Sequence, residues 1–267
     1  RFQFDFAEVY WNPRLSTEHS RVVSLLNRGD VLYDVFAGVG PFAVPAARKG
    51  CVVFANDLNP HSFSWLKRNV ELNKVSGLVS TFNLDGRKFI RTVLGCNLRE
   101  HAKKGARVHV CMNLPSLATE FLDAFIGLLE NGPASPDSSE DTASKDLPKD
   151  PSANRLAKTT KDSSADCSAR SELPERGKPV VRVHCYCFVK EEDRFGEARK
   201  KVEEGLGSSI GSDAEVKLVR SVAPNKDMMR VTFDVPTEVL LGVVGSPPTK
   251  RSKLEKGGTD GIVSCGN

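Results

Sequence analysis

Thirteen consecutive residues leave this chain few choices: Val31-Leu32-Tyr33-Asp34-Val35-Phe36-Ala37-Gly38-Val39-Gly40-Pro41-Phe42-Ala43. An apolar run ends in a glycine turn, and a helix rich in small residues starts directly after it. Pro41 suits the first helical position, where its missing N–H costs nothing. A buried strand, a glycine turn and a helix N-terminus, in that order, build the part of a Rossmann-type fold that holds a nucleotide-like ligand. Gly38 and Gly40 allow backbone to approach a ligand where a Cβ would clash. About twenty residues on, Val52-Val53-Phe54-Ala55-Asn56-Asp57 reads as a second strand ending in an acid, which can accept hydrogen bonds from both hydroxyls of a ribose. The pattern fits two ligands, a dinucleotide and S-adenosylmethionine.

Strand-like and helix-like segments alternate from Val31 onward, which predicts a mainly parallel sheet covered by helices. Strands are expected over 31–37, 51–57, 78–84, 107–112, 180–189, 215–222 and 228–235, and helices over 15–28, 41–49, 60–73, 86–95, 116–130 and 192–205. In the helix at 116–130, Leu117, Phe121, Leu122, Phe125, Leu128 and Leu129 make one apolar stripe. In the fifth strand Val181, Val183, Cys185, Cys187 and Val189 share a face, so both cysteines read as core. The short Pro224-Asn225-Lys226-Asp227 turn predicts a terminal antiparallel hairpin. Class I methyltransferase sheets finish that way, whereas dinucleotide-binding sheets usually have six parallel strands. The fold class is therefore α/β, a Rossmann-like class I methyltransferase with a seven-stranded, mostly parallel sheet.

Residues 131–179 contain no Val, Ile, Phe, Met, Trp or Tyr and read as a disordered insertion, since they cannot bury enough apolar surface to offset chain entropy. They fall inside a single catalytic domain over 1–244, followed by a tail over 245–267 of similar composition. The tail's Pro248-Thr249-Lys250-Arg251-Ser252-Lys253 reads either as a nuclear address or as solvated charge. The net charge of +4 permits a polyanionic partner without demonstrating one. The seven cysteines form no zinc spacing, so no metal is expected, and their odd number points to reduced thiols inside a cell. No apolar run reaches about 18 residues, so no membrane span is expected. The chain opens mid-pattern at Arg1 and reads as a fragment.

Ligands of such sheets lie beyond the carboxyl ends of the strands. Asp34 to Gly40 with Phe36, then Asp57 and Leu58, Asp85 and Gly86, and Asn113 to Pro115 all fall at such ends. Geometry assigns Gly38 and Gly40 to the methionine moiety, Asp57 to the ribose, Asp85 to the adenine amine and Leu58 to the adenine face. A single acid at a strand end is more often a helix cap, but four strand ends with a polar or glycine signature are harder to dismiss. Asn113-Leu114-Pro115 would aim an amide and a carbonyl at a base edge, with Pro115 fixing the turn. Its plainer reading is a strand-to-helix turn capped by Ser116. On the first helix Leu15, Val22, Leu25 and Leu26 form the apolar face, yet Glu18 and His19 project toward it. A carboxylate held there is a better proton acceptor near neutrality, unless Glu18 is an ion-pair partner of Arg14 or Arg21.

Taken together, Asn12-Pro13-Arg14-Leu15-Ser16-Thr17-Glu18, Asp34-Val35-Phe36-Ala37-Gly38-Val39-Gly40-Pro41-Phe42, Asp57-Leu58-Asn59-Pro60-His61 and Met112-Asn113-Leu114-Pro115 resemble the tRNA (guanine-37-N1) methyltransferase family of archaea and eukaryotes, over 6–130 and 180–236. The resemblance implies S-adenosyl-L-methionine as cofactor and N1 of the guanine 3′ of the tRNA anticodon as target. By position it implies Glu18 as general base, and Asn113 with Pro115 as the guanine-edge site. Phe36, Asp57, Leu58, Asp85 and Gly86 match cofactor contacts, and His19 lies where another is made. Family members also carry an upstream arginine on the guanine O6 and N-terminal domains that grip tRNA, which this chain does not include. The expected partner is the tRNA anticodon loop, the expected state a monomer, and the expected location the mitochondrial matrix, nucleus or cytoplasm. Three rivals stand beside this reading. A nicotinamide-dependent oxidoreductase fits Gly38 to Ala43 and Asp57 but leaves Asn113 to Pro115 unused. A non-catalytic RNA-binding module is opposed by an intact Glu18 and Asn113. Another RNA base or a protein amide would keep the chemistry and change the substrate.

Overall fold

The computed structural model describes residues 1–130, 180–190 and 192–243. The expected insertion at 131–179, the tail at 245–267 with its basic cluster, and Cys167 and Cys265 lie outside them.

The strands are β1 (Val31–Asp34), β2 (Val52–Asn56), β3 (Val79–Phe82), β4 (Val108–Met112), β5 (Val181–Val189), β6 (Glu215–Ala223) and β7 (Lys226–Asp234). They make one sheet in the order β3-β2-β1-β4-β5-β7-β6. The first five are parallel; β7 runs antiparallel between β5 and β6. The central strands are buried on both faces, because helices cover both. Alternate residues feed two core layers. Leu32, Val53, Ala55, Cys111 and Tyr186 pack with α1 (Ser16–Leu25), α2 (Ala43–Lys49) and α3 (Pro60–Leu72). Tyr33, Phe54, Val110, Val183 and Val231 pack on the other face. That layer is closed by α4 (Gly86–Phe89), α5 (Gly95–Lys103), α6 (Arg194–Leu206) and α7 (Thr237–Leu240). The expected fifth-strand face, Val181, Val183, Cys185, Cys187 and Val189, is buried together there, and burial pushes the Cys187 thiol up to about 11.

Several expectations are corrected. The helix placed at 116–130 is a 3-10 run, Ala118–Phe125, and Leu117 is 44% exposed, outside the stripe. It cannot continue, because Gly127 and Leu129 donate their N–H groups to Val239 and Leu240 instead of to a helical turn. The helix after the glycine turn starts at Ala43, two residues beyond Pro41, and Leu25 of α1 is exposed. The helix expected to stop at residue 95 continues through a wider-wound segment, Ile90–Leu94, into α5, whose Leu98 reaches the core.

Candidate functional site

The strand ends meet at a cavity of about 630 Å³, a size usual for a small-molecule site. Its floor is the turn after β1. Asp57, just past β2, accepts the backbone N–H of Gly38 at 2.7 Å on Oδ2 and that of Asn59 at 2.9 Å on Oδ1. Burial raises its pKa, while those two N–H groups favour the charged form. The turn is fixed from below by buried Asn56, whose amide donates to the carbonyls of Val35 and Leu84 and accepts from the N–H of Leu84. One side chain thus registers the ends of β1, β2 and β3. Gly38 has a φ of 54° and open space where a Cβ would stand.

Asp34 lies fully buried at the end of β1 with no hydrogen-bond partner on either carboxyl oxygen. Burial first, and the neighbouring Asp57 second, push its pKa up to about 8. At neutral pH it therefore holds its proton.

The wall opposite is Asn113, Leu114 and Pro115 after β4. Asn113 Oδ1 is buried and has no hydrogen-bond partner in the described structure. The third wall comes from α1 and the turn before it. Pro13–Leu15 forms a 3-10 turn capped by Asn12, which places Arg14 and Leu15 on the cavity. His19 also lines it, between the rings of Phe42 (centroids 4.7 Å apart) and Trp11 (6.3 Å). Burial lowers the His19 pKa to about 4, so the imidazole is neutral at pH 7 and does not repel a cationic ligand.

Of the residues singled out from sequence, His19, Phe36, Gly38, Asp57, Asn113 and Pro115 surround this one cavity. The others stand elsewhere in the described structure. Gly40 is a packing position: a Cβ there would come within 2.9 Å of Leu66 Cδ1. Gly86 lies against Phe36, whose ring meets Phe121 edge-on at 5.1 Å. Asp85 caps α4 by accepting the N–H groups of Arg87 and Lys88. Leu58 is 64% exposed outside the cavity wall. Glu18 is 5% exposed, faces inward as expected, and is paired with Arg21, one of the two partners considered for it; Tyr186 and Arg230 also donate to it.

Sequence reasoning missed several lining residues. Phe188 could have been found, because it ends the fifth strand as Asn113 ends the fourth. Arg220, Val222 and Met228 reach the cavity only because β7 returns antiparallel beside β5 and carries β6 with it. Tyr10 stands at the rim, 79% exposed, an aromatic face open to solvent.

Residues 1–135 match the TRM5/TYW2 methyltransferase domain. A Danio rerio protein named tRNA (guanine(37)-N(1))-methyltransferase is 48% identical over 239 residues, which is 90% of this chain and 42% of that protein. The chain thus spans less than half the length of this relative. The crystal structure of the M. jannaschii tRNA m1G37 methyltransferase superimposes with a TM-score of 0.52 at 25% identity, covering 88% of this chain and 51% of that one. That of M. jannaschii TYW2 in complex with AdoMet gives 0.54 at 20% identity, covering 87% and 80%. Among the described residues no helix is long and apolar enough to cross a membrane, and no cluster of His, Cys, Asp or Glu could hold a metal ion.

Proposed function

Because the chain belongs to the TRM5/TYW2 methyltransferase domain family, we propose that its cavity binds S-adenosyl-L-methionine and that the protein methylates N1 of guanine 37 in tRNA. The residues fit such a ligand. Asp57 keeps spare lone pairs for ribose hydroxyls after holding the glycine turn, and Gly38 leaves open space above it. Neutral His19 and the aromatic wall suit the apolar and sulfonium parts. Bound there, S-adenosyl-L-methionine supplies an electrophilic methyl group.

The observation that carries the substrate reading is the orphaned Asn113 Oδ1, buried in the wall beside the rigid Leu114-Pro115 turn. A guanine edge offers N–H donors to such an acceptor, and the Asn113 amide can donate in return. The base would be turned out of the loop to reach it. Guanine N1 carries a proton at neutral pH, so its lone pair is freed only as that proton leaves. Glu18 is the carboxylate on α1, the helix that also supplies His19 to the wall, and it is assigned as the acceptor. A positioned base of this kind contributes about 10²–10⁴-fold.

The test is methyl transfer by the full-length enzyme to a tRNA transcript carrying G37, beside one carrying A37, with the product base identified by mass spectrometry. The expected product is 1-methylguanosine at position 37 alone. Equal transfer to the A37 transcript would remove the substrate assignment, and absence of S-adenosyl-L-methionine binding by calorimetry would remove the cofactor.

A further inference from the structure

Glu18 leaves α1 and ends between β5 and β7, where its two oxygens meet different company. Oε1 accepts from Arg230 Nη1 at 2.7 Å and from the Tyr186 hydroxyl at 3.1 Å. Oε2 meets Arg21 Nη1 at 3.0 Å. Arg230 is only 1% exposed and Tyr186 is buried, whereas the Arg21 side chain is 43% exposed and can turn into solvent. Tyr186 and Arg230 are direct partners across the β5–β7 ladder, so both Oε1 donors stand on rigid sheet. Arg230 is held in turn by Glu215 on β6, at 2.9 Å from Nη2. Burial disfavours the Arg230 cation, but Glu18, Tyr186 and Glu215 more than offset it and keep it charged. Burial also pushes the Tyr186 hydroxyl well above its usual range, so it remains a donor.

We propose that Tyr186 and Arg230 are positioning residues for proton transfer: they fix the Glu18 carboxylate through Oε1 and leave Oε2 to take the proton once Arg21 swings away. This rests on the assignment of Glu18 as proton acceptor. The N1–H bond breaks as an O–H bond forms on Oε2. The N1 lone pair forms the new bond to the methyl carbon, and the methyl–sulfur pair returns to sulfur. A carboxylate free to rotate would present a correctly placed oxygen only part of the time; two buried donors on one oxygen remove that freedom. Arg230 is shared between Glu18 and Glu215, so its one positive charge is not spent on Glu18 alone.

The experiment uses Tyr186→Phe and Arg230→Lys in the full-length enzyme, each alone and combined with Glu18→Gln. Single-turnover methyl transfer to G37 tRNA, S-adenosyl-L-methionine affinity and melting temperature are measured on all. Tyr186→Phe removes one hydroxyl and should slow transfer about 10-fold with cofactor affinity and melting temperature near the parent. In the Glu18→Gln background it should cost nothing more, because the group it positions no longer takes a proton. Arg230→Lys keeps the charge and loses the fork, and should follow the same pattern. Should that variant fail to fold, Tyr186→Phe decides alone. Parental rate in Tyr186→Phe, or an equal loss in both backgrounds, overturns the positioning role while a slow Glu18→Gln leaves the base assignment standing. Parental rate in Glu18→Gln overturns the base assignment and this inference with it.

Discussion

The backbone N–H of Gly38 lies 2.7 Å from Asp57 Oδ2, so the turn after the first strand is tied to the acid that ends the second. The same carboxylate proposed to bind ribose also shapes the glycine turn beside it. Asp57→Ala should therefore weaken S-adenosyl-L-methionine binding by at least about 10-fold, through one lost charge-assisted contact and a loosened turn. Isothermal calorimetry checks this, and affinity within two-fold of the parent rejects the assignment. Melting temperature should change little, because Asp57 lies at the rim of the sheet and not in either core layer.

Asp34 makes stability depend on pH in a direction opposite to most carboxylates. Its folded-state pKa is raised to about 8 by burial and by Asp57. Its contribution is fully present below the ordinary value near 4 and is lost as pH rises toward 8, since the unfolded chain releases the proton first. Asp34→Asn should remove this decline, on the order of a few kcal/mol across the window. Denaturant midpoints at pH 5 and pH 8 measure it; an unchanged difference between the two would reject the buried, protonated state.

The two glycines of the turn should respond differently to a methyl group. Gly40 has a φ of 96°, and a Cβ would meet Leu66 Cδ1 at 2.9 Å, so Gly40→Ala combines backbone strain with a clash in the core. A loss of about 2–3 kcal/mol is expected. Gly38→Ala meets nothing within 4 Å at a φ of 54° and should cost about 1 kcal/mol, while its new methyl intrudes on the cavity. Thermal melts should rank Gly40→Ala below Gly38→Ala, and cofactor affinity should suffer in Gly38→Ala even where it folds.

Glu18→Gln should fail on two observables at once. As proton acceptor it should slow single-turnover transfer by about 10²-fold or more with tRNA and cofactor binding retained. As the counter-charge to buried Arg230 it should also lower stability, by about 1–3 kcal/mol, since Gln keeps an acceptor oxygen but not the charge. Loss of stability with the rate intact would make Glu18 a structural ion pair only.

The parts of the site that were legible in the sequence are those built by local rules. Val31 to Ala43 specified strand, glycine turn and helix because hydrophobic run length and glycine placement act within a few residues. Strand-end position picked out Asp57, Asn113 and Pro115 because parallel strands deliver their carboxyl ends to one rim. The inward face of Glu18 followed from helical period alone. What sequence could not supply was company. Arg230 lies 212 positions from Glu18, and no local period links them. The 3-10 course of Ala118–Phe125 was likewise invisible, since an apolar stripe favours a helix until Gly127 and Leu129 find acceptors in Val239 and Leu240.

The sequence by itself thus determined the fold class, the parallel character of most of the sheet and the rim of strand ends where the cavity lies, because short-range sterics and hydrophobic spacing decide them. Tertiary structure alone decided which polar groups are satisfied. Asp85 spends its carboxylate on a helix cap, Asp34 keeps a proton because it is buried beside Asp57, and Glu18 is gripped by β5 and β7. Solvation and hydrogen-bond competition set these outcomes, and both depend on every chain segment that closes around the group rather than on the residues beside it in sequence.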